Sequence, residues 1–316
     1  MDNLTHSLVG ALIGQAGLKR KTGLAMPALI IGANLPDIDA ACFFWLEGQE
    51  HLGFRRGITH GPPALVLLPL VLAGLLWGFD RWQAKRGKRP EGRLPVSFKW
   101  LYLLSFIGCL THPALDWLNV YGIRLLEPFS SRWFYGDTLF IIDVWLWALM
   151  GVATWWSLRR EKRGCEWRRP AHIALTAAGL YILANGLITR DAERSVVKPP
   201  LSEEMVIASP PPVAFWKRDV IAGSFGLWRQ SGYSLHGGMT RPAVIGAPCL
   251  NFPGEPEDDR LYREYRAFLF WSRSPFAERA PDGSILIRDA RFYDPRARDR
   301  FTVALPDVKC EEPPAL

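Results

Sequence analysis

Apolar residues along this chain fall into long blocks up to about residue 190 and into short alternating runs after it. The blocks cover about 24–46, 62–79, 98–118, 139–158 and 172–188, most of them near the ~20 residues a helix needs to cross a bilayer. A shorter stretch, 4–18, comes first and is followed by Lys19, Arg20 and Lys21; it suits a tucked or half-penetrating helix. The pattern predicts an α-helical membrane domain over 1–190, with four to five spans plus a short N-terminal helix. Beyond it lie Glu204–Ala208, Val213–Ile221, Phe225–Leu235, Ala267–Trp271, Ile285–Phe292 and Arg300–Leu305, short runs bounded by Pro, Gly and Asp. These predict a small, mainly β soluble domain over 191–316, with the Pro-rich pieces at 199–212 and 313–314 as linker and tail.

Charge orients the helices. The connection 80–97 holds Arg81, Lys85, Arg86, Lys88, Arg89 and Arg93, and 159–169 holds Arg159, Arg160, Lys162, Arg163, Arg168 and Arg169. The alternate connections, 47–61 and 119–138, carry two Arg each. By the positive-inside rule the first pair is cytoplasmic and the second pair outside, which puts the C-terminal domain on the outer, periplasmic side. The net charge of +7 therefore needs no nucleic acid to explain it, and none is expected as a partner; membrane lipids are. Mean hydropathy is close to zero because the polar second half offsets the apolar first. No basic n-region or small-residue cleavage site marks a removable signal peptide, so the first segment is expected to stay. Of the five cysteines, Cys249 and Cys310 fall in the outer domain and could pair in an oxidising compartment.

Candidate chemistry then appears where it is least comfortable. Asp37 and Asp39 interrupt an apolar run, at about 2.5–3.5 kcal/mol for each charge near the centre of a membrane helix. Pro36 disfavours helix for Leu35 and removes a donor, so the backbone is expected to kink or restart there. In Thr111–Asn119, His112, Asp116 and Asn119 share one helical face, and Pro113 suggests a helix break just before them. This pair would serve a metal or, equally, fasten two helices through a buried hydrogen bond. His60 offers a further ligand, with Arg55 and Arg56 as an anion clamp. Asp143 suits a ligand or a helix cap, and His6 a ligand or a structural role. Placed by the charge-derived topology, these groups gather near one membrane face. Imidazoles and carboxylates without thiolates suit zinc first, then manganese or iron, and their number is enough for two ions. No G-x-S-x-G, H-E-x-x-H, Walker A or dinucleotide fingerprint points to other chemistry.

The residues Leu4-Thr5-His6-Ser7, Pro36-Asp37-Ile38-Asp39, Arg56-Gly57-Ile58-Thr59-His60-Gly61, His112 to Asp116 with Asn119-Val120-Tyr121-Gly122, and Phe140-Ile141-Ile142-Asp143 together resemble the bacterial family of predicted membrane-bound metal-dependent hydrolases, the YdjM-like, LexA-regulated inner-membrane proteins. The family commonly has His-Arg-Gly where this chain has Arg55-Arg56-Gly57, and often Ser where Gly61 stands. The resemblance covers about residues 1–150. It implies a multi-pass protein of the bacterial inner membrane, with His6, Asp37, Asp39, His60, His112, Asp116 and Asp143 as the polar, metal-binding centre. A more distant likeness to zinc phospholipase C and nuclease P1 favours phosphodiesters. The expected activity is hydrolysis of an ester or phosphodiester, lipids included, at the outer face, with Asp37, His60 and Arg56 carrying the chemistry. The alternatives are an ion or proton pathway through the same groups, and a scaffold whose outer domain binds a partner.

Overall fold

A computed structural model of the chain describes all residues but 197–204, 225 and 312–316. Packing divides it into two compact units, residues 1–39 with 56–186 and residues 40–55 with 187–316. Segment 40–55, which includes the end of the first long apolar block, thus packs with the second unit.

The first unit is helical. α1 (Asn3–Gln15) begins where Asp2 accepts hydrogen bonds from the Leu4 and Thr5 amides, which satisfies two of the donors every helix start leaves open. α2 (Ala25–Gly32) stops short of Pro36, and the chain continues as a 3₁₀ segment over Leu35–Phe44, bent from α2 by 52°. After the short α3 (Glu50–Phe54) of the second unit, α4 (Pro62–Lys85) opens on two prolines in its first turn, where their missing N–H groups cost nothing. α5 (Phe98–Trp117), α6 (Val144–Lys162) and α7 (Arg168–Arg194) complete the set; α7 runs on into residues of the second unit. α5 runs unbroken through Pro113, against the expected break, and the Thr111 hydroxyl takes the Gly108 carbonyl at 2.6 Å.

Among the described residues two helices, α4 and α7, are long and apolar enough to cross a membrane, or three crossings if α2 and the bent 3₁₀ segment form one span. The sequence pattern predicts four to five. α5 falls short because one turn is given to His112 and Asp116 and another carries Lys99; in α6, Arg159, Arg160, Glu161 and Lys162 take up the last four of its 19 residues.

Close backbone approach sets the packing of α1, α2 and α5. A Cβ on Gly108 would lie 2.5 Å from Leu29 O, and one on Gly10 2.7 Å from the same oxygen, so only hydrogen fits at either place. Leu29, Leu101, Leu104, Leu72 and Ala73 fill one core between α2, α4 and α5. Leu12, Leu146, Met150 and Ala171 fill another, where α1 meets α6 and α7.

The second unit is mainly β. Strands β1 (Met205–Ser209), β2 (Lys217–Ser224) and β3 (Leu227–Ser234) form an antiparallel sheet, with β4 (Gly238–Met239) and β5 (Ala243–Val244) both paired to β3. The last helix, α8 (Asp259–Trp271), precedes a second antiparallel sheet of β6 (Pro275–Arg279), β7 (Ser284–Asp289) and β8 (Thr302–Lys309). Four of the six predicted runs overlap β1, β2, β3 and β7, and the run at 300–305 overlaps β8. The predicted strand Ala267–Trp271 is instead the end of α8: Asp258 caps the helix through the Leu261 amide, and Tyr265, Phe268 and Trp271 are buried at helical spacing. The expected linker 199–212 contains β1, its residues 199–204 lying outside the described ones together with the tail at 313–314. Cys249 and Cys310 are joined by a disulfide.

Candidate metal centre

Four separate stretches of the first unit bring imidazoles and carboxylates to one place: His6 from α1, Asp37 from the 3₁₀ segment after α2, His60 from a short 3₁₀ turn before α4, and His112 and Asp116 from α5. Two triads, His6–Asp37–His112 and His60–His112–Asp116, each have their ligand atoms within 4.8 Å of one another and could hold a metal ion. Asp116 lies in the middle. Its Oδ1 is 3.3 Å from His6 Nε2, and its Oδ2 is 3.6 Å from His112 Nε2 and 3.8 Å from His60 Nε2. Asp37 Oδ1 is 3.7 Å from His112 Nε2. The His6 and His112 rings stack at 3.8 Å.

Two of the three imidazoles, those of His112 and His60, are oriented from outside the cluster. His112 Nδ1 lies 2.7 Å from the carbonyl of Ala33, which, as an acceptor only, requires the proton there and leaves the Nε2 lone pair facing Asp116. His60 Nδ1 is 3.0 Å from Thr59 Oγ1 and 3.6 Å from Asp39 Oδ2. Asp39 Oδ2 in turn accepts from the Arg56 amide at 2.7 Å and from Thr59 Oγ1 at 3.3 Å. Asp39 therefore stands behind His60, whereas Asp37 faces the cluster.

Arg56 is buried and turned inward. Its Nε is 3.0 Å from Asp116 Oδ2, its NH1 donates to Asn119 Oδ1 and the Gly122 carbonyl at 3.0 and 3.2 Å, and its guanidinium covers Tyr121. The backbone takes φ +53 to achieve this, a conformation strained for any residue but glycine. The amino group of Met1 also contacts Asp116 Oδ1. Asp143 is placed elsewhere in use: its Oδ1 caps α6 through the Trp145 and Leu146 amides, and its Oδ2 accepts from the Tyr181 hydroxyl at 2.9 Å. Arg55 stacks against Phe43 in the second unit.

Polar residues around the centre that the sequence reading does not single out are Asp2, Thr59 and Tyr121. Asp2 had a signal in the sequence, an acid just before an apolar helical run. Thr59 and Tyr121 stand in the motifs quoted for the resemblance without a role of their own, and the stacking of Tyr121 on Arg56 follows from the path of the loop after α5.

The site passes a test of fit to a cation. His6 Nδ1 and Nε2 and His112 Nε2 are buried and make no hydrogen bond among the described residues, while Asp116 Oδ2 beside them is ion-paired with Arg56. Left so, such atoms cost about 1–3 kcal/mol each. Nitrogen and oxygen donors converging without hydrogens between them are what a borderline or hard divalent ion completes.

Residues 1–192 match the profile of the YdjM inner membrane protein family. The chain is also 26% identical over 167 residues to the uncharacterized protein YfhP of Bacillus subtilis (strain 168), a match that spans 50% of this chain and 47% of that one. No solved structure matches. With the family match extending over more than half of the chain, and over every residue of the cluster, this protein belongs to the YdjM inner membrane protein family.

Proposed function

We propose that this is a metal-dependent hydrolase of the bacterial inner membrane, acting on an ester or phosphodiester at the outer face. The observation that carries the reading is the convergence of buried imidazole nitrogens, those of His6 and His112 without a hydrogen bond, on the Asp116 carboxylate. Both triads use His112, whose Nδ1 is already engaged, so its single free nitrogen fits them to one ion. His6, His60, His112, Asp116 and Asp37 would hold it, zinc being the first choice and manganese or iron the next. When bound, such an ion supplies Lewis acidity, which makes water nucleophilic near neutral pH and draws charge from an ester or phosphoryl oxygen.

The chain's own residues do the rest. Asp39 and Thr59 orient His60, Ala33 orients His112, and Arg56 fixes Asp116 while adding positive charge beside developing anions. Asp37, whose side chain is 13% exposed while those of His6, His60, His112 and Asp116 are at most 1% exposed, is the carboxylate best placed to exchange a proton with an incoming molecule.

The membrane placement comprises four or five crossings with the second unit in the periplasm. Its support is twofold. Trp167 with Lys19, Arg20 and Arg168, Trp100 with Lys21, Trp77 with Arg81, Trp82 with Arg86, and Trp155 with Arg159 form a cationic aromatic belt. These pairs sit at the C-terminal ends of α4 and α6, at the N-terminal ends of α5 and α7, and just after α1, opposite to the ends that carry the cluster. The disulfide of the second unit belongs in an oxidising compartment. Against an ion pathway stands the pairing of charges toward the belt, Lys19 with Glu161 and Asp80 with Arg89 and Arg93.

Elemental analysis of protein purified in mild detergent tests the proposal, with bis(p-nitrophenyl) phosphate as an ester probe. One transition ion per chain, lost in His112→Ala, and chelator-sensitive cleavage are expected. Protein that carries no ion and is indifferent to chelator overturns it.

A further inference from the structure

α7 keeps one face bare along its apolar stretch: Ile173, Leu180, Leu183 and Leu187 are 58–62% exposed, and Arg190 and Arg194 continue the same stripe at helical spacing. The helix is long and apolar enough to cross a membrane. Arg168 and Arg190 bracket that stretch and stand roughly 33 Å apart along the axis, against about 30 Å of hydrocarbon in a bilayer. Arg190 therefore lies where acyl chains give way to headgroups, at the end of the span away from Trp167. There α7 has entered the second unit. Ile188 and Ala192 on another of its faces pack with Ala208, Val220 and Tyr233, the Thr189 hydroxyl accepts from Arg218 Nε at 2.8 Å, and the Tyr233 hydroxyl donates to Asp191. Beside this fastened helix end remains a cleft of about 510 Å³, lined by Arg190, Glu193, Arg194, Val196 and Val206.

Arg190 and Arg194 are one helical turn apart, and among the described residues neither makes an ion pair or a side-chain hydrogen bond. Two like charges so spaced repel each other, which an anion held between them reverses. Because a helix C-terminus itself disfavours anions, such binding rests on the two guanidinium groups. With Glu193 in the same cleft, two positive charges and one negative leave a single positive charge. That balances a phosphodiester, which carries one negative charge, better than a phosphate monoester. Val196, Val206 and the leucine stripe supply apolar surface for what the phosphodiester is attached to. We infer that the cleft binds the headgroup phosphate of a phospholipid, whose acyl chains lie along Leu180, Leu183 and Leu187, and that this lipid fastens the second unit to the bilayer where α7 leaves it. The inference rests on α7 as a span and is independent of the metal centre.

The full chain in mild detergent is titrated with dioleoylphosphatidylglycerol and, separately, with dioleoylglycerol, which has the same chains and no phosphate, and bound lipid is counted by native mass spectrometry. One phosphatidylglycerol should be retained at concentrations at least about tenfold below those needed for dioleoylglycerol. Equal retention of the two overturns the inference, since the apolar stripe alone would then hold them. Arg190→Gln with Arg194→Gln should lose the preference. Arg241→Gln with Arg260→Gln, an equal loss of charge from exposed positions elsewhere in the second unit, should keep it. Wild-type binding in the first pair, or equal loss in both, overturns the site. Millimolar inorganic phosphate should leave the retained lipid in place; its displacement would make the cleft a site for free anions and overturn the lipid as occupant. If the first pair fails to fold, the comparison of the two lipids on the wild type decides by itself.

Discussion

Asp116 is the residue on which the first unit's polar interior turns, since its two oxygens face three imidazoles and one guanidinium with almost no access to water. Arg56 holds it from behind. Replacing Arg56 by Lys keeps a charge but loses the planar fork that spans Asp116, Asn119 and the Gly122 carbonyl. Metal affinity should fall by about 10–100-fold, as for other groups that orient a ligand, in a competitive titration against a fluorescent chelator. Unchanged affinity would place Arg56 outside the metal's support. In the second unit the comparable residue is Asp289, fully buried and clasped by Arg291, Ser272 and Ser274. Burial pushes its carboxyl up, but the Arg291 charge and these hydrogen bonds outweigh burial and bring it down to about 2 from 3.8. A carboxyl depressed on folding stabilises fully above its unfolded value and loses that contribution as pH falls through the folded one. The β unit should thus lose about 2 kcal/mol between roughly pH 4 and pH 2, read by acid titration of its circular dichroism in the full chain. In Asp289→Ala the buried Arg291 is left uncompensated, and about 3–5 kcal/mol should go at neutral pH.

At the scale of the elements, the centre exists because α1, α2 and α5 touch backbone to backbone. Gly108 makes that contact, and the carbonyl that orients His112, that of Ala33, lies just past the end of α2. Gly108→Ala puts a methyl 2.5 Å from Leu29 O and 3.0 Å from Ala33 N, so the helices must part. Overpacking of this kind costs about 1–3 kcal/mol. The variant should melt earlier in detergent and also bind metal less well, which distinguishes it from a cavity variant remote from α2. Melting and metal content equal to wild type would show that the contact is not needed. The same scale shows where periodicity reads well and where it misleads. Pro36 and the two acids after it announce a broken helix, and a broken helix is there. Pro113 announces another, yet α5 continues, because a single proline withholds one N–H, that to the Cys109 carbonyl, and leaves the rest of the helical hydrogen bonds in place.

For the whole molecule, the proposed topology makes one direct prediction, that the basic connection 159–169 is cytoplasmic. Cys165, exposed and unbridged beside the basic run 159–169, reports on this without mutation. A membrane-impermeant maleimide should leave it unlabelled in intact spheroplasts and label it after permeabilisation. The other cysteines outside the disulfide, Cys42 and Cys109, are buried and interfere little. Labelling before permeabilisation would invert the topology and put the centre on the cytoplasmic face.

What the sequence alone determined is the division into an apolar helical half and a β half and the break at Pro36; it also expects His6, Asp37, Asp39, His60, His112, Asp116 and Asp143 near one membrane face, of which the structure brings His6, Asp37, His60, His112 and Asp116 together. These follow from local terms: block length against bilayer thickness, charge between the blocks, and the cost of acids in apolar runs. Only the tertiary structure separated the groups that face the cluster from those that stand behind it or outside it. Asp37 and Asp39 are two residues apart and alike in sequence, yet one faces the cluster and the other backs His60, because a 3₁₀ turn replaces the helix there. Asp143 has the same chemistry as Asp116, but a helix starts at it and Tyr181 reaches it, so its oxygens are used up. Which oxygen accepts which hydrogen depends on contacts between residues up to 115 positions apart, and no local pattern carries that information.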